Sequence, residues 1–248
     1  MVWITSLHTV RNYVILIFMR SSIYGKKKDY LSYSAISLWK SSKDAYRRRY
    51  YELEKPFKTI ETEFGKKVAE MLERRDPSLM HIPHYSVTEY EIDTVIDGVK
   101  VKAYIDSFDP ERIKFLDHKS SHCDKDGKPP WTRVKVHKHD QLPFYSMLLK
   151  YVHGRVDNAC HIVWIETEFK TDTRDFMGHT LSSKVRELQL TGKVKKFRRV
   201  IREWERQKMR KELSIIAQEI QNDYRNYTRS KEVLLRTGGE VSKEVQAN

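Results

Sequence analysis

The feature that most constrains this sequence is a change in hydrophobic period between residues 57 and 119. From Phe57 to Arg74 the apolar residues recur at helical spacing, and Asp76-Pro77 ends that segment. From Val87 to Lys119 apolar and polar residues alternate, as they do along half-buried strands. Asp97-Gly98 interrupts this alternation with a strong hairpin signal, because both positions of a two-residue turn require positive φ. The pattern therefore predicts a helix followed by a three-stranded meander.

Helices and strands continue to alternate on both sides of the meander. Ser32 and Ser34 favour a helix start, since a serine hydroxyl can cap the free amides of the first turn. Beyond a long polar loop at 120–138, helical spacing returns from His139 to Tyr151, and a short apolar strand follows from His161 to Thr167. The order predicts an α/β fold, with a mixed central sheet flanked by helices.

The sequence divides into four predicted segments. Residues 1–30 form an N-terminal segment whose membership of the core stays open, and their run YVILIFM is too short to span a membrane. Residues 31–182 form the predicted core. Residues 183–228 read as a basic helical extension packed on the core, with a break near Thr191-Gly192, and residues 229–248 read as a flexible tail.

Charge and cysteine content narrow the function classes. The chain of 248 residues has 47 Lys and Arg against 34 Asp and Glu, which gives a net charge of +13. Such an excess favours a polyanionic partner, most often nucleic acid, and we expect DNA rather than a membrane. Two cysteines, Cys123 and Cys160, are too few for a disulfide framework. They fit a reducing, cytoplasmic environment.

Two acidic residues and a lysine fall at the ends of neighbouring predicted strands. Asp117 and Lys119 are two apart in FLDHKSS and so share one face of a strand, while Asp106 ends the preceding strand. Carboxylates bind hard divalent cations, and an ammonium can orient water or stabilise developing charge. The Asp/Glu-x-Lys pattern alone is weak, because it recurs at Asp126 and Glu168, so a solvated surface pair is the alternative.

The order of features around these residues resembles the PD-(D/E)XK nuclease superfamily, in its RecB-like and phage-exonuclease-like branch, over about residues 31–167. The family's helix start, strand ends and second helix correspond here to LSYSAISLW, Asp106, the Asp117 and Lys119 strand, and a Gln-x-x-x-Tyr helix. Two positions depart from the family pattern. Ala69 stands where a helix His is common, with Glu70 beside it, and Ala103 replaces a Gly.

The resemblance implies a restriction-endonuclease-like fold and a metal-dependent DNA nuclease of exonuclease type, active in DNA processing, recombination or repair. It implies one or two Mg²⁺ or Mn²⁺ ions and a 5′-phosphate product. Because the cysteines of the iron–sulfur relatives are missing, we expect no cluster. The implied site comprises metal ligands, a water-orienting lysine, a backbone carbonyl and two flanking residues: Asp106, Asp117 and Glu70; Lys119; His118; Gln141 and Tyr145.

A basic stripe is the candidate for DNA binding. On the predicted helical extension, four arginines recur at i to i+4 spacing and would share one face: Arg198, Arg202, Arg206 and Arg210. A solvated helix face is the alternative. The competing function class is a non-catalytic nucleic-acid binder on a nuclease scaffold. The resemblance also leaves open a homo-oligomer, since some relatives form closed rings, and a recombination or replication partner protein.

Overall fold

The computed structural model describes residues 24–26, 28–176 and 179–237. These residues form two compact units. One contains residues 24–55, 97–100 and 212–237, and the other contains residues 56–96 and 101–211. Residues 1–23 lie outside the described part, so the predictions made for most of the N-terminal segment are not tested.

The larger unit is built on a mixed sheet of five strands in the order β1-β2-β3-β4-β5. The strands are Val87–Ile96, Val99–Asp109, Lys114–His122, Ala159–Phe176 and His179–Val200. β2 and β3 are antiparallel, β3 and β4 are parallel, and β4 and β5 are antiparallel. The predicted α/β class with a mixed central sheet flanked by helices is confirmed.

Six α-helices accompany the sheet in the described residues. In chain order, α1 to α6 are Tyr33–Ser41, Lys43–Tyr50, Ile60–Glu73, Arg133–His137, Gln141–His153 and Glu203–Thr237. Ser32 caps α1 as predicted, because its hydroxyl accepts a hydrogen bond from the Ala35 amide at 3.4 Å. The turn between β1 and β2 is also as predicted, with φ of 49° at Asp97 and 79° at Gly98.

Helices cover both faces of the sheet in the larger unit. On one face, the buried side chains of Val68 and Leu72 from α3 join Leu116, Val163 and Ile165 from β3 and β4 in one apolar cluster. On the other face, Phe115 of β3 meets Tyr145 of α5 edge to face, with ring centroids 6.0 Å apart. Alternate residues of β3 therefore enter two different layers, and this places Asp117 and Lys119 on the face of α5.

The smaller unit is held together by aromatic residues and ion pairs. Tyr46 and Tyr51 are fully buried. The Trp39 indole donates to Glu219 at 2.9 Å, and Arg47 pairs with Asp223 through two nitrogens at 3.0 and 2.5 Å. These contacts fasten α1 and α2 to the later turns of α6.

The prediction of a helix beginning at Ser183 is wrong. β5 runs to Val200, and the helix begins only at Glu203. Phe197 and Arg199 are buried while Lys196 and Arg198 are exposed, which is the period of a strand. The buried arginine concealed this period, because charged residues are rarely buried unless paired.

The ends of the predicted extension also differ. α6 continues to Thr237, nine residues beyond the predicted end of the helix at Thr228, so the first part of the predicted flexible tail is helical. Residues 238–248 lie outside the described part. Within the residues described, no helix is both long enough and apolar enough to cross a membrane.

Candidate functional site

Asp106 and Asp117 meet where β2 and β3 separate. The recorded pairing of these strands ends at Ser107 opposite Leu116, one residue before the two aspartates would face each other. There the carboxylate of Asp106 replaces the backbone partner, because its Oδ2 accepts a hydrogen bond from the His118 amide at 2.6 Å. The structure thus brings together the two acidic residues that the sequence predicts as metal ligands.

Lys119 completes this pair of carboxylates. Its Nζ lies 2.9 Å from each carboxylate oxygen of Asp117. The geometry is that of a hydrogen bond only at Oδ1, so Oδ2 is buried without a hydrogen-bond partner. Since Asp117 is 0% exposed, this oxygen cannot be satisfied by bulk water. A buried carboxylate oxygen without a hydrogen-bond donor is costly, and a bound cation would offset that cost.

Gln141 and Tyr145 extend the site along the first turns of α5, as predicted. Gln141 Oε1 accepts from Lys119 Nζ at 3.1 Å, and its Nε2 donates to the Tyr145 hydroxyl at 2.6 Å. His139 Nε2 lies 3.2 Å from the same Gln141 oxygen. The amide therefore fixes the direction of the Lys119 side chain, and His139 is a neighbour that sequence reasoning assigned to no role at this site.

Burial and mutual repulsion dominate the electrostatics. Burial, followed by the nearby Asp117 charge, raises the pKa of Asp106 well above its ordinary value, against the opposing effects of Lys119 and the His118 amide. Burial works to lower the pKa of Lys119, but Asp117 and Asp106 outweigh it and the pKa is raised. The lysine therefore stays charged beside two carboxylates that repel each other.

A cavity of about 130 Å³ opens beside Asp106, His118 and Lys119, and residues of α3 and β1 with Ser120 and Ile165 complete its lining. Two carboxylates that the sequence analysis did not select, Glu73 and Glu89, line it. Glu89 is half-buried, and its φ of 49° is unusual for a residue other than glycine. Burial and then the Glu73 charge raise the pKa of Glu89. No periodicity signals such a residue, since a left-handed glutamate in a strand leaves no sequence pattern.

Glu70, the predicted third ligand, has a different location. Its side chain is exposed on α3, and it is not among the residues that line the cavity. The structure therefore does not bring Glu70 to the carboxylate pair. Its neighbour Glu73, one turn further along the helix, lies at the cavity instead.

The donor set suits a hard divalent cation held in part by water and substrate. Among the described residues, no group of three or more His, Cys, Asp and Glu side chains is arranged to hold a metal ion. Mg²⁺ commonly uses only one or two carboxylates and completes its shell with water and phosphate oxygens. Asp106 and Asp117, whose Oδ2 has no hydrogen bond, fit that pattern.

The four arginines predicted to form one DNA-binding stripe do not share a helix face. Arg198 lies on β5, and Arg202 precedes α6. Arg206 is only 5% exposed and donates to Ser146 inside the unit, whereas Arg210 is exposed beside Tyr151. The predicted stripe is wrong because it assumed a helix through residue 198.

Comparisons with known proteins add a similarity of chain path. The "Putative exonuclease" from Eubacterium rectale is 12% identical, with a TM-score of 0.46, over 90% of this chain and 88% of that one. The protein SSO0001 is 14% identical, with a TM-score of 0.41, over 83% and 85%. No protein-family model and no curated protein matches the chain. At these TM-scores the two similarities carry no weight for function, which depends on the residues of the site.

Proposed function

We propose that the protein is a metal-dependent deoxyribonuclease that hydrolyses phosphodiester bonds. The observation that carries the proposal is the buried Asp117 carboxylate, which faces Asp106 and Lys119 and has one oxygen without a hydrogen bond. Once Asp106 is ionised, two carboxylates against one ammonium leave a net negative charge in a buried site. A bound Mg²⁺ or Mn²⁺ would offset that charge and would lower the pKa of a water and polarise a phosphoryl oxygen.

The residues of the site have separate roles in this proposal. Asp106 and Asp117 would hold the cation. Lys119 keeps its charge, and its position is set by Asp117 on one side and Gln141 on the other. An ammonium so placed can orient the attacking water or stabilise negative charge that develops on the phosphoryl group. Tyr145 supports the lysine indirectly, by accepting the hydrogen bond that orients the Gln141 amide.

We further propose exonuclease activity in DNA processing, recombination or repair, with release of a 5′-phosphate. The order of helix, two aspartates on neighbouring strands, lysine and Gln-x-x-x-Tyr helix supports this finer proposal through its resemblance to the PD-(D/E)XK branch. Linear and covalently closed DNA of the same sequence separate the two modes of cleavage. An exonuclease degrades only the linear substrate, and an endonuclease also cuts the closed one.

The test of the main proposal is whether labelled DNA shortens with Mg²⁺ and stays intact with EDTA. Asp117→Asn should abolish cleavage, because it removes the ligand charge at constant side-chain volume. Asp126→Asn is the matched control, since Asp126 has the same spacing to a lysine but lies exposed in a loop. Binding without cleavage by the wild-type chain would instead favour the non-catalytic nucleic-acid binder.

A further inference from the structure

A row of residues crosses three strands beside the proposed site. In the parallel pairing of β3 and β4, Lys119 lies opposite Trp164. In the antiparallel pairing of β4 and β5, Trp164 lies opposite Lys195. Residues opposite each other in a sheet project from the same face, so both lysines emerge on the face that carries α5. Neighbouring strands are about 4.8 Å apart, and this sets the two lysine backbones roughly 10 Å apart.

The residues of this row differ in exposure and in partners. Trp164 is 6% exposed, and its indole nitrogen donates to the Ser121 carbonyl at 3.1 Å, so its side chain is fixed against β3. Lys119 is engaged by Asp117 and Gln141. Lys195 is exposed, and within the described residues no carboxylate forms an ion pair with it. Its ammonium lies over the ring of Phe197, 5.3 Å from the centroid.

The burial of successive residues along β5 explains why the Lys195 ammonium faces solvent. Arg199, four residues further along the same face, is buried and donates hydrogen bonds to the carbonyls of Val136 and His139. Phe197 is still covered, with 6% exposure, and Lys195 is the first residue of this face to reach solvent. Lys195 therefore stands at the solvent edge of the covered layer, on the face of the sheet that carries α5.

We infer that Lys195 binds a backbone phosphate of the DNA strand that is being cut, next to the scissile phosphate held at Lys119. The inference rests on the proposed function. It assigns the strand a path across the sheet, over Trp164, from β3 to β5. An exposed ammonium that forms no ion pair with a carboxylate of the described residues matches the charge of a polyanion, and a cation contacting phosphate releases condensed counterions.

Lys196 is a matched control on the same strand. It lies opposite Val163 and so projects from the other face of the sheet, and it is exposed and a lysine like its neighbour. The experiment measures binding of labelled DNA from 50 to 200 mM salt, by fluorescence anisotropy, in the cleavage-deficient Asp117→Asn background. Lys195→Gln should flatten the slope of log affinity against log salt by roughly 0.7–0.9, and Lys196→Gln should leave it unchanged.

The protein that retains Lys195 should bind DNA more tightly than Lys195→Gln. The ratio of the two affinities should fall roughly threefold between 50 and 200 mM salt. Equal slopes in the two variants would overturn the inference. Cleavage by Lys196→Gln with Asp117 intact is measured in parallel at saturating DNA and should persist. If the slopes differ but no variant with Asp117 cleaves DNA, the proposed function fails while the phosphate contact stands.

Discussion

Arg206 and Asp117 are both buried charged residues of the larger unit, and their surroundings are opposite. Each nitrogen of the Arg206 guanidinium has an acceptor, because Nε donates to Ser146 at 2.8 Å, Nη1 to Glu203 at 3.0 Å and Nη2 to Asn158 at 2.5 Å. Asp117 is equally inaccessible but has an oxygen without a hydrogen bond and a second carboxylate nearby. The first charge is satisfied within the fold, and the second leaves room for a bound cation.

The comparison teaches that burial of a charge does not by itself indicate function. Arg206 seemed from the sequence to be a DNA-binding residue, yet its hydrogen bonds all serve the fold. Asp117 and Lys119 could have been a solvated surface pair, yet Asp117 is 0% exposed. The two residues differ in their hydrogen bonds: each guanidinium nitrogen of Arg206 has an acceptor, whereas one carboxylate oxygen of Asp117 has no donor.

The largest expected effect is the loss of cleavage in Asp117→Asn. If its charge holds the cation, the change should lower the rate by about 1,000-fold, which corresponds to roughly 4 kcal/mol of transition-state stabilisation. Stability in the absence of divalent ions should change little, since the relieved repulsion with Asp106 offsets the lost ion pair with Lys119. Initial rates of cleavage measure the first effect, and a urea unfolding curve measures the effect on stability. If Asp117→Asn is strongly destabilised but still cleaves DNA, Asp117 has a structural role like that of Arg206.

Arg206→Met should show the converse pattern. Ser146 is fully buried, and it and Asn158 would lose their charged donor, so the free energy of unfolding should fall by about 2–4 kcal/mol. The matched control is Arg210→Met, an exposed arginine one turn further along α6. Urea unfolding of both variants provides the measurement. Equal stability of the two variants would show that the hydrogen bonds of Arg206 contribute little.

Glu89 and Glu70 offer a finer comparison between a cavity-lining and an exposed carboxylate. Because Glu89 lines the cavity beside Asp106, Glu89→Gln should raise the Mg²⁺ concentration for half-maximal cleavage by about tenfold. Glu70→Gln should change it by less than about twofold, since Glu70 is exposed and away from the lining. Cleavage rates measured over a series of Mg²⁺ concentrations give this value for both variants. A stronger effect at Glu70 would restore the ligand implied by the family resemblance.

The smallest expected effect is on how the free energy of unfolding depends on pH. The pKa of Asp106 is raised in the folded protein, so the folded state binds this proton more tightly than the unfolded state does. The resulting stabilisation is present below the unfolded carboxyl pKa of about 3.9 and is lost as the pH rises towards the raised value. Without divalent ions, Asp106→Asn should reduce this loss by at least about 1 kcal/mol. Urea unfolding at several pH values measures it, with Asp126→Asn expected to behave as the wild type.

Much of the fold was predictable because its signals are local. The alternation from Val87 onward and the Asp97-Gly98 turn specify a hairpin through side-chain period and backbone φ, which are visible in a short window. β5 was not predictable in the same way. Its buried Arg199 donates hydrogen bonds to the carbonyls of Val136 and His139, about 60 residues distant in the chain, so a charged residue occupies an interior position of the strand.

The same distinction applies to the candidate site. Asp106, Asp117 and Lys119 were predicted from strand alternation, and Gln141 with Tyr145 from helical spacing. The prediction that Asp106 ends its strand is wrong, because β2 continues to Asp109. Glu89 could not be found, because its location depends on a left-handed backbone conformation within β1. Lys195 was counted among the basic residues, but its alignment with Lys119 depends on strand register across β4, which no local pattern encodes.

The central claim is that the carboxylate pair binds a divalent cation, and direct Mn²⁺ binding tests it without relying on catalysis. Free Mn²⁺ is followed by its electron paramagnetic resonance signal as wild-type protein or Asp117→Asn is added at neutral pH. The account predicts that the wild type depletes the free-ion signal and that Asp117→Asn does not, while Asp126→Asn behaves as the wild type. Equal depletion by all three proteins, or by none, would contradict the assignment of Asp106 and Asp117 as a cation site.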